Sequence, residues 1–338
     1  SMLKATGPWD APSLADRVIH FGHRKIPDVY KTLSRLSLPK REARRVMADG
    51  FSYLNVGHAR LKPRLWQWLR KMGARSIALM IHDLIPIDFP QFTAPNASRE
   101  FETNIRAAVQ NADILIYNST DTAQRMKPWL EKWDCGPIRE HTVLLGVDPL
   151  PENKNSKNPS TDDTYFVCLG TIEPRKNHKV LLDVWAGFHE TLPADQIPKL
   201  RIVGARGWLN QDVFSTLDNA EFMGKSVFEH NDVSDAELGN MLTGTHALLF
   251  PSHAEGFGLP LVEALQMAIP VIASDLPSFR EIAGDSPIYI TPTNTSEWAR
   301  QILEISKKNE PVGSKVFTPP KLTTWPEHFL KIATMLGD

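Results

Sequence analysis

Short apolar runs alternate along the chain with segments of helical periodicity. The clearest runs are residues 76–82, 113–117 and 165–170, and each is followed by polar residues or glycine. Apolar runs of this length are typical of buried parallel strands. Strand, helix, strand, helix is the order of a doubly wound sheet, so the pattern predicts an α/β fold. Further strands are expected near 51–57, 199–204, 246–250, 270–274 and 288–290, with helices over 97–111, 177–190, 234–243, 259–267 and 295–307.

The alternating pattern occurs twice, with a polar stretch between the two series. Residues 149–164 are rich in Asn, Ser, Pro, Lys and Asp, a composition that favours a linker. With 338 residues the chain is long enough for two domains. We therefore expect an N-terminal Rossmann-like domain over residues 1–150 and a C-terminal one over residues 151–321. A last helical pattern, residues 322–338, carries Pro326 in its first turn.

Residues 61–72 combine helical periodicity with positive charge. The pattern predicts an amphipathic helix that either packs on the sheet with its charges in water or lies on an anionic membrane. Its expected apolar face is Leu61, Leu65, Trp68, Leu69 and Met72, and its basic residues are Lys62, Arg64, Arg70 and Lys71.

Charge is unevenly distributed, although the formal net charge is only −1. Residues 1–80 contain 16 Lys or Arg against 5 Asp or Glu, whereas the rest of the chain contains 22 against 34. A basic segment favours an anionic partner: a membrane surface, a lipid-linked phosphate or nucleic acid. Since no nucleic-acid-binding motif accompanies the charge, we do not expect the partner to be a nucleic acid. Residues 24–75 are instead expected to meet an anionic membrane surface.

Apolar runs are all shorter than the roughly 18 residues that a membrane helix needs, and no secretory signal pattern is present. The two cysteines, Cys135 and Cys168, agree with a reducing compartment and have no metal-ligand neighbours at zinc spacing. The expected location is therefore cytoplasmic, peripheral on the inner face of the cell membrane.

The densest group of candidate site residues follows the apolar run that ends at Phe250. Gly256 and Gly258 let backbone amides approach a ligand, and the next helix directs its free N–H groups at this loop, which suits a diphosphate. Glu255 can accept hydrogen bonds from sugar hydroxyls, and Glu263 can hold ribose hydroxyls. The alternative is a tight strand–helix turn with solvated glutamates. The residues expected to bind the donor here are Gly256, Phe257, Gly258, Leu259 and Glu263.

A second candidate loop, Gly170 to Asn177, also follows a predicted strand. Arg175 and Lys176 come directly before a predicted helix, where two cations suit a diphosphate. The alternative is a solvated basic turn. Gly170 and Thr171 complete the donor-binding set of this loop.

Two strand ends in the N-terminal half carry polar residues as well. His82, followed by Asp83, can donate a hydrogen bond to a sugar hydroxyl or can bind a neighbouring group. Asn118 and Ser119 either line the acceptor side or cap the helix that follows them.

These motifs together resemble the retaining GT-B-fold glycosyltransferases of family four, also called group 1. The resemblance extends from about Ile77 to Leu336. The combination is specific to that family, whereas no single motif is. The motifs are Ile81-His-Asp-Leu-Ile-Pro86, the Gly170-to-Asn177 loop, Val203-Gly204, the Glu255-to-Glu263 segment, Pro270-Val-Ile-Ala-Ser274 and Phe279-Arg-Glu-Ile-Ala-Gly284.

The resemblance implies two doubly wound domains that face each other across a cleft, with the last helix crossing back to the N-terminal domain. The C-terminal domain would bind a GDP- or UDP-sugar. The N-terminal domain would bind the acceptor, a glycan linked to a lipid. Transfer would retain anomeric configuration and need no metal or other cofactor. The implied catalytic set is Glu255, His82, Lys176 and Arg175. Likeness to mannosyltransferases of the family favours mannose, in the synthesis of a surface polysaccharide.

The sequence also departs from the family pattern. Residues 1–60 contain no Gly-Gly loop, Thr171 stands where many members have arginine, and the link over residues 221–235 is longer than usual. Two other functions remain as alternatives: a non-catalytic protein that binds nucleotide sugars or glycans, and an NAD(P)-dependent oxidoreductase. The second lacks support because no G-x-G-x-x-G opens a helix after a strand.

Overall fold

The computed structural model describes residues 50–58, 61–147, 164–307 and 322–337. Most of the basic segment, residues 24–75, and nearly all of the expected linker, residues 149–164, lie outside the described part of the chain. The chain forms two compact units. Among the described residues, unit 1 contains those up to Asp88, Pro95–Leu144 and those from Pro326 onward, and unit 2 contains Phe89–Ala94 and Leu145–Trp325.

Unit 1 is built on a parallel sheet with the strand order β1-β2-β3-β4. Its strands are β1 (Phe51–Asn55), β2 (Ala74–Ile81), β3 (Ile114–Tyr117) and β4 (Arg139–Thr142). Its helices are α1 (Pro63–Lys71), α2 (Ile85–Asp88), α3 (Ala97–Val109), α4 (Thr120–Lys132) and α11 (Trp325–Gly337), of which α11 joins the unit from Pro326 onward.

Alternate residues of β2 enter two different hydrophobic cores, one on each face of the sheet. Ile77 and Leu79 pack in the core that includes Trp66 of α1, whereas Ala78 packs in the core that includes Ile332 of α11. Because side chains alternate across a strand, a strand that is covered on both faces is apolar at every position. This explains the continuous apolar run in the sequence.

The apolar face of α1 differs from the one expected. Trp66 is fully buried and Leu69 is nearly so, whereas Trp68 is 49% exposed. The indole of Trp66 packs edge-on against Tyr53, and its N–H donates to the carbonyl of Leu61 at 3.3 Å. A buried tryptophan usually has such an acceptor, and the described contacts give one to Trp66. The expectation that Trp68 belongs to the buried face is therefore corrected.

Unit 2 contains a six-stranded parallel sheet with the strand order β10-β9-β8-β5-β6-β7. Its strands are β5 (Tyr165–Leu169), β6 (Lys199–Val203), β7 (Val227–His230), β8 (Leu248–Phe250), β9 (Val271–Ser274) and β10 (Ile288–Ile290). Its helices are α5 (His178–Thr191), α6 (Gln211–Asn219), α7 (Asp235–Thr243), α8 (Leu259–Gln266), α9 (Pro277–Ala283) and α10 (Thr295–Ser306). Short 3-10 helices form at Pro90–Phe92, Pro174–Lys176 and Ala194–Gln196.

The sheet of unit 2 is also covered on both faces. Phe166 and Cys168 pack with Trp185 of α5, whereas Val167 packs with Leu261 of α8. Full burial of a side chain the size of phenylalanine stabilises the fold by roughly 1.5–3 kcal/mol. Cys168 is 2% exposed, and burial raises the pKa of its thiol to about 12.

The strand order reverses between β5 and β8. In open α/β sheets, ligands bind at the carboxyl ends of the strands beside such a reversal. The loops that leave β5 and β8 are Gly170 to Asn177 and Pro251 to Gly258, so the topology brings together the two loops that carry the candidate donor residues.

Candidate active site

Asn177 and the backbone around it hold the two loops of unit 2 together. Asn177 has a left-handed backbone, with φ of 54°, and its side-chain amide donates to the carbonyls of Pro251 at 3.1 Å and Pro292 at 2.9 Å. The backbone N–H of His253 donates to the carbonyl of Arg175 at 2.8 Å. Backbone groups that are fixed in this way place the side chains of both loops in defined positions.

Glycines permit the close approaches on which the site depends. A Cβ on Gly204, at the end of β6, would lie 2.1 Å from the carbonyl oxygen of Gly170. Gly258 precedes α8 with φ of +103°, and a Cβ there would lie 2.6 Å from the ring of Phe279. Neither position has room for a larger residue, and the conformation of Gly258 is one that L side chains rarely adopt.

Glu255 lies between the two cations predicted to bind a diphosphate. Its Oε1 is 2.6 Å from Nζ of Lys176, and its Oε2 is 2.7 Å from Nη1 of Arg175. The hydroxyl of Ser252 donates to Oε1 at 2.8 Å. The side chain of Glu255 is only 9% exposed, and those of Lys176 and Arg175 are 12% and 19% exposed. The three charges therefore form one largely buried group.

Burial alone would raise the pKa of the Glu255 carboxyl, but the charges of Lys176 and Arg175 outweigh burial and lower it below its ordinary value. Glu255 is therefore an anion at neutral pH and does not supply a proton. The sequence led us to expect that its carboxylate would meet sugar hydroxyls. In the structure its oxygens bind Lys176, Arg175 and Ser252, and Oε2 has room for one further donor.

Arg175 also pairs with a second, buried carboxylate. Its Nη2 and Nε donate to Oε1 of Glu173 at 2.7 and 3.0 Å, and its Nη1 donates to the carbonyl of Ala254 at 3.0 Å. The side chain of Glu173 is 4% exposed. The group thus contains two cations and two anions. An incoming diphosphate would compete with these carboxylates for charge-assisted hydrogen bonds.

Glu263 lies one turn into α8, partly buried. Burial and, secondarily, the charge of Asp235 raise the pKa of its carboxyl. Phe257 is buried, whereas Leu259 at the start of α8 is 39% exposed and Thr171 in the other loop is exposed. A carboxylate near the start of a helix that follows a glycine-containing loop is suited to accept hydrogen bonds from hydroxyls such as those of a ribose.

Ser252, Glu173 and His253 were not singled out in the sequence. His253 stacks on Phe92, with ring centroids 5.3 Å apart and planes inclined by 7°. Burial lowers the pKa of His253, so its ring is neutral at neutral pH. Ser252 and His253 lie three and two residues before Glu255 in the same loop, and their position after a strand end was the available signal.

In unit 1, His82 follows β2 and its ring is anchored by backbone. Its Nε2 is 2.7 Å from the carbonyl oxygen of Val56, and its backbone N–H donates to Nε2 of His58 at 3.1 Å. Because a carbonyl only accepts, Nε2 of His82 carries the hydrogen. The sequence left two roles open for His82: a donor toward a ligand, or a hydrogen bond to a neighbouring group such as this carbonyl. In the tautomer with hydrogen on Nε2 alone, Nδ1 is an acceptor.

The other polar residues of unit 1 make local structural contacts. Asp83 accepts from the backbone N–H of Ile85 at 3.1 Å. Ser119 is the N-cap of α4 and accepts from the backbone N–H of Thr122, while Asn118 accepts from the Thr122 hydroxyl at 3.1 Å. Asn118 and Ser119 are 2% and 0% exposed. Of the two roles considered for them, the described contacts are those of a helix cap.

Neither a metal-binding cluster nor a membrane-spanning helix occurs among the described residues. Among the residues that the structure describes, no group of three or more His, Cys, Asp or Glu side chains is arranged to hold a metal ion. No helix in the described ranges is both long enough and apolar enough to span a bilayer.

Comparison with known proteins gives consistent matches. The family described as "Glycosyl transferases group 1" matches residues 151–313. The serotype-specific mannosyltransferase WbdA of Escherichia coli is 31% identical over 251 residues, which cover 70% of this chain and 30% of WbdA. Phosphatidyl-myo-inositol mannosyltransferase of Mycobacterium leprae is 33% identical over 299 residues, which cover 84% of this chain and 72% of that protein.

Among solved structures, sucrose-phosphate synthase from Thermosynechococcus elongatus is similar in fold, with a TM-score of 0.60 and 16% identity, over 88% of this chain and 79% of that one. The fold, with its two parallel sheets, is of the GT-B class. The chain belongs to the group 1 glycosyl transferases. It spans about 30% of the length of the E. coli mannosyltransferase WbdA that it matches.

Proposed function

We propose that this chain transfers a hexose from a nucleoside-diphosphate sugar to a hydroxyl of a glycan acceptor, with retention of anomeric configuration. The observation that carries the proposal is the buried group of Glu255 between Lys176 and Arg175, at the point where the strand order of unit 2 reverses. Two cations at this position of the fold suit a diphosphate leaving group.

The proposed chemistry exchanges one bond at the anomeric carbon for another on the same face of the sugar. The bond from the anomeric carbon to the phosphate oxygen breaks, and a bond to the acceptor oxygen forms. The proton of the acceptor hydroxyl passes to the leaving diphosphate. Lys176 and Arg175 stabilise the charge that develops on the diphosphate, while Glu255 keeps both cations in place and positions the sugar. Transfer then needs no metal or other cofactor.

The proposed donor sugar is mannose, linked to GDP or UDP, and the proposed acceptor is a lipid-linked glycan of a surface polysaccharide. Mannose is supported by the names of the two relatives described above, WbdA and the M. leprae protein, which are mannosyltransferases. A surface polysaccharide is supported by the description of WbdA as serotype-specific.

The deciding experiment incubates the protein with GDP-, UDP-, ADP- and dTDP-sugars and an acceptor panel, with and without EDTA. It measures nucleotide release, product mass and, by NMR, the anomeric configuration of the product. The proposal expects release from one donor class, a product with retained configuration and no loss with EDTA. Stabilisation against heat by NAD(P) alone would support an oxidoreductase, and donor binding without transfer would support a non-catalytic binding protein.

Two substitutions and a matched control test the site. Lys176→Ala and Glu255→Ala should each abolish transfer while the protein stays folded. Lys179→Ala is the control, because Lys179 lies three residues away, is 65% exposed and pairs only with Asp183 of its own helix, among the described residues. Transfer at the wild-type rate by either site variant would refute the assignment.

We also propose a cytoplasmic location with peripheral binding to an anionic membrane through residues 24–75. In the described part of that segment, Arg64, Trp68 and Lys71 are exposed and share one face of α1. A tryptophan flanked by cations is typical of residues that bind a membrane interface.

Sedimentation with vesicles of neutral or partly anionic lipid tests this location. Binding should require anionic lipid, weaken with salt and decrease in Trp68→Ala. Trp208→Ala is the matched control, because Trp208 is 47% exposed but belongs to unit 2. Absence of binding at low salt, or equal losses in the two variants, would contradict the proposal.

A further inference from the structure

His82 is held by three neighbours in unit 1. Its backbone N–H donates to Nε2 of His58, its Nε2 donates to the carbonyl of Val56, and its carbonyl oxygen lies 3.4 Å from the hydroxyl of Thr122. The residue lies just past the end of β2, where ladder hydrogen bonds no longer fix the backbone. These three contacts fix His82 where the strand-to-strand hydrogen bonds have ended.

The strand register explains why His58 reaches His82. Along β1 and β2, Ser52 pairs with Ser76 and Asn55 pairs with Leu79, a constant offset of 24 positions. The same offset places His58 beside His82. Asn55 assists by accepting the backbone N–H of Gly57 at 3.1 Å, which turns the chain after β1.

The ring of His58 is fixed from both sides. It lies edge-on to Phe101, with centroids 5.2 Å apart, and tilted to His82, with centroids 5.5 Å apart. Because its Nε2 accepts a backbone N–H, that nitrogen carries no hydrogen. Because Nε2 of His82 donates to a carbonyl, the tautomer that carries a single hydrogen has it on Nε2 and leaves Nδ1 as an acceptor. The two rings therefore adopt opposite tautomers.

We propose that His58 is a positioning residue that holds the backbone and ring of His82 so that Nδ1 of His82 accepts the hydrogen of a substrate hydroxyl. The inference rests on the proposed function and on the expectation from the sequence that His82 meets a sugar hydroxyl. His58 does not itself touch the sugar. By fixing the backbone of His82, it keeps Nε2 of that ring at the Val56 carbonyl, and this contact sets the tautomer and orientation of the ring.

Three substitutions at His58 separate positioning from simple packing. The amide oxygen of Gln reaches the place of Nε2, whereas the side chain of Asn ends near the place of Nδ1. His58→Ala and His58→Asn should lower kcat about tenfold with a donor KM within about twofold of wild type, as expected for loss of one oriented hydrogen bond. His58→Gln should restore kcat to within about threefold.

His141→Ala is the control, because His141 lies in β4 of the same unit and no described side-chain contact involves it. It should leave kcat unchanged. Thermal unfolding of every variant checks that it is folded. Wild-type kcat in His58→Ala would overturn the inference, and so would a His58→Gln variant as impaired as His58→Ala.

A second measurement needs no substrate. Long-range proton–nitrogen spectra of protein labelled with ¹⁵N-histidine report the tautomer of each ring, and His82→Gln assigns the His82 signal. The signal should show hydrogen on Nε2 in wild type and His58→Gln, and a mixture of tautomers in His58→Ala. An unchanged signal in His58→Ala would refute the role of His58. If the wild type transfers no sugar at all, the proposed function fails and these spectra alone decide the positioning.

Discussion

Nζ of Lys176 lies 2.6 Å from Oε1 of Glu255, although 79 positions separate the two residues in the chain. The contact forms because β5 and β8 are neighbours in the sheet and each is followed by a loop that turns toward the other. A glutamate that binds the cations of its own site has a direct consequence for ligand affinity.

Glu255→Gln should strengthen binding of a nucleoside diphosphate while it slows sugar transfer. Removal of the carboxylate charge leaves Lys176 and Arg175 with less compensation, so the diphosphate becomes their main counter-charge. Affinity for the matching nucleoside diphosphate, measured by titration calorimetry, should rise about fivefold, equivalent to about 1 kcal/mol. Glu297→Gln, which removes an exposed partner of Arg300, is the control. Weaker binding by Glu255→Gln would show that Glu255 does not compete with the ligand.

Glu263→Gln should stabilise the protein at neutral pH and weaken donor binding. Burial and Asp235 raise the pKa of Glu263 in the folded state, so the ionised carboxyl costs folding free energy. For a raised carboxyl pKa, stability is greatest below the unfolded value and declines as pH rises toward the folded value. Urea unfolding should therefore show the variant to be more stable at pH 7 and equal to wild type at pH 4. Donor affinity should fall about tenfold as the ribose loses an acceptor. Equal stability at pH 7 would argue against this role of burial.

His178 should make the protein sensitive to acid. It is 1% exposed, and neither ring nitrogen has a hydrogen-bond partner among the described residues. Burial, with a smaller contribution from Lys176, lowers its pKa to about 4. Between about pH 6.5 and that value the unfolded chain binds a proton that the folded protein does not. Unfolding free energy therefore falls by roughly 1.4 kcal/mol per pH unit, to a total of about 3 kcal/mol.

His178→Leu should remove this loss, so that the difference between pH 8 and pH 5 in urea unfolding becomes smaller by about 2 kcal/mol. His189→Leu is a control on the same helix, because the ring of His189 is hydrogen-bonded to Ser226 at 2.8 Å. Identical pH dependence in wild type and His178→Leu would contradict the prediction.

Gly258→Ala should destabilise unit 2 more than Gly224→Ala does. Both glycines have positive φ, +103° and +71°, and an alanine at either position would be strained in that backbone conformation. Only Gly258 is crowded, because its Cβ would meet Phe279 at 2.6 Å, whereas nothing lies within 4 Å of a Cβ on Gly224. We expect a loss of about 1 kcal/mol for Gly224→Ala and about 3 kcal/mol for Gly258→Ala. Urea unfolding measures both, and equal losses would show that the Phe279 ring moves aside.

The sequence alone was sufficient to predict the strands that are apolar on both faces. The strands at 76–82, 113–117 and 165–170 were predicted within two residues, because a parallel strand buried on both sides leaves an unbroken apolar run. β4 (Arg139–Thr142) and α6 (Gln211–Asn219) were not predicted. β4 lies at a sheet edge and is polar, and α6 buries only two of nine residues, so neither leaves a strong pattern.

The candidate site was predictable as a set of loops but not as a set of contacts. Glycines and cations after strand ends indicated both loops that the sheet topology brings together. The sequence does not reveal that the carboxylate of Glu255 binds Lys176, because that depends on which strands are neighbours. His58 was missed for the same reason: its function depends on the register between β1 and β2, and no local pattern encodes register with a strand 20 residues away.

The helix from Trp325 to Gly337 leaves unit 2 at its first residue and completes a core of unit 1 through Ile332. The chain segments that enter and leave unit 2 also run side by side, since the N–H of Val147 donates to the carbonyl of Thr323 at 3.1 Å. A gene cut once near codon 145 would therefore yield an N-terminal fragment with an uncovered sheet face. Chimaeras that exchange acceptor units between relatives should carry the final helix with the N-terminal half, as a two-crossover exchange.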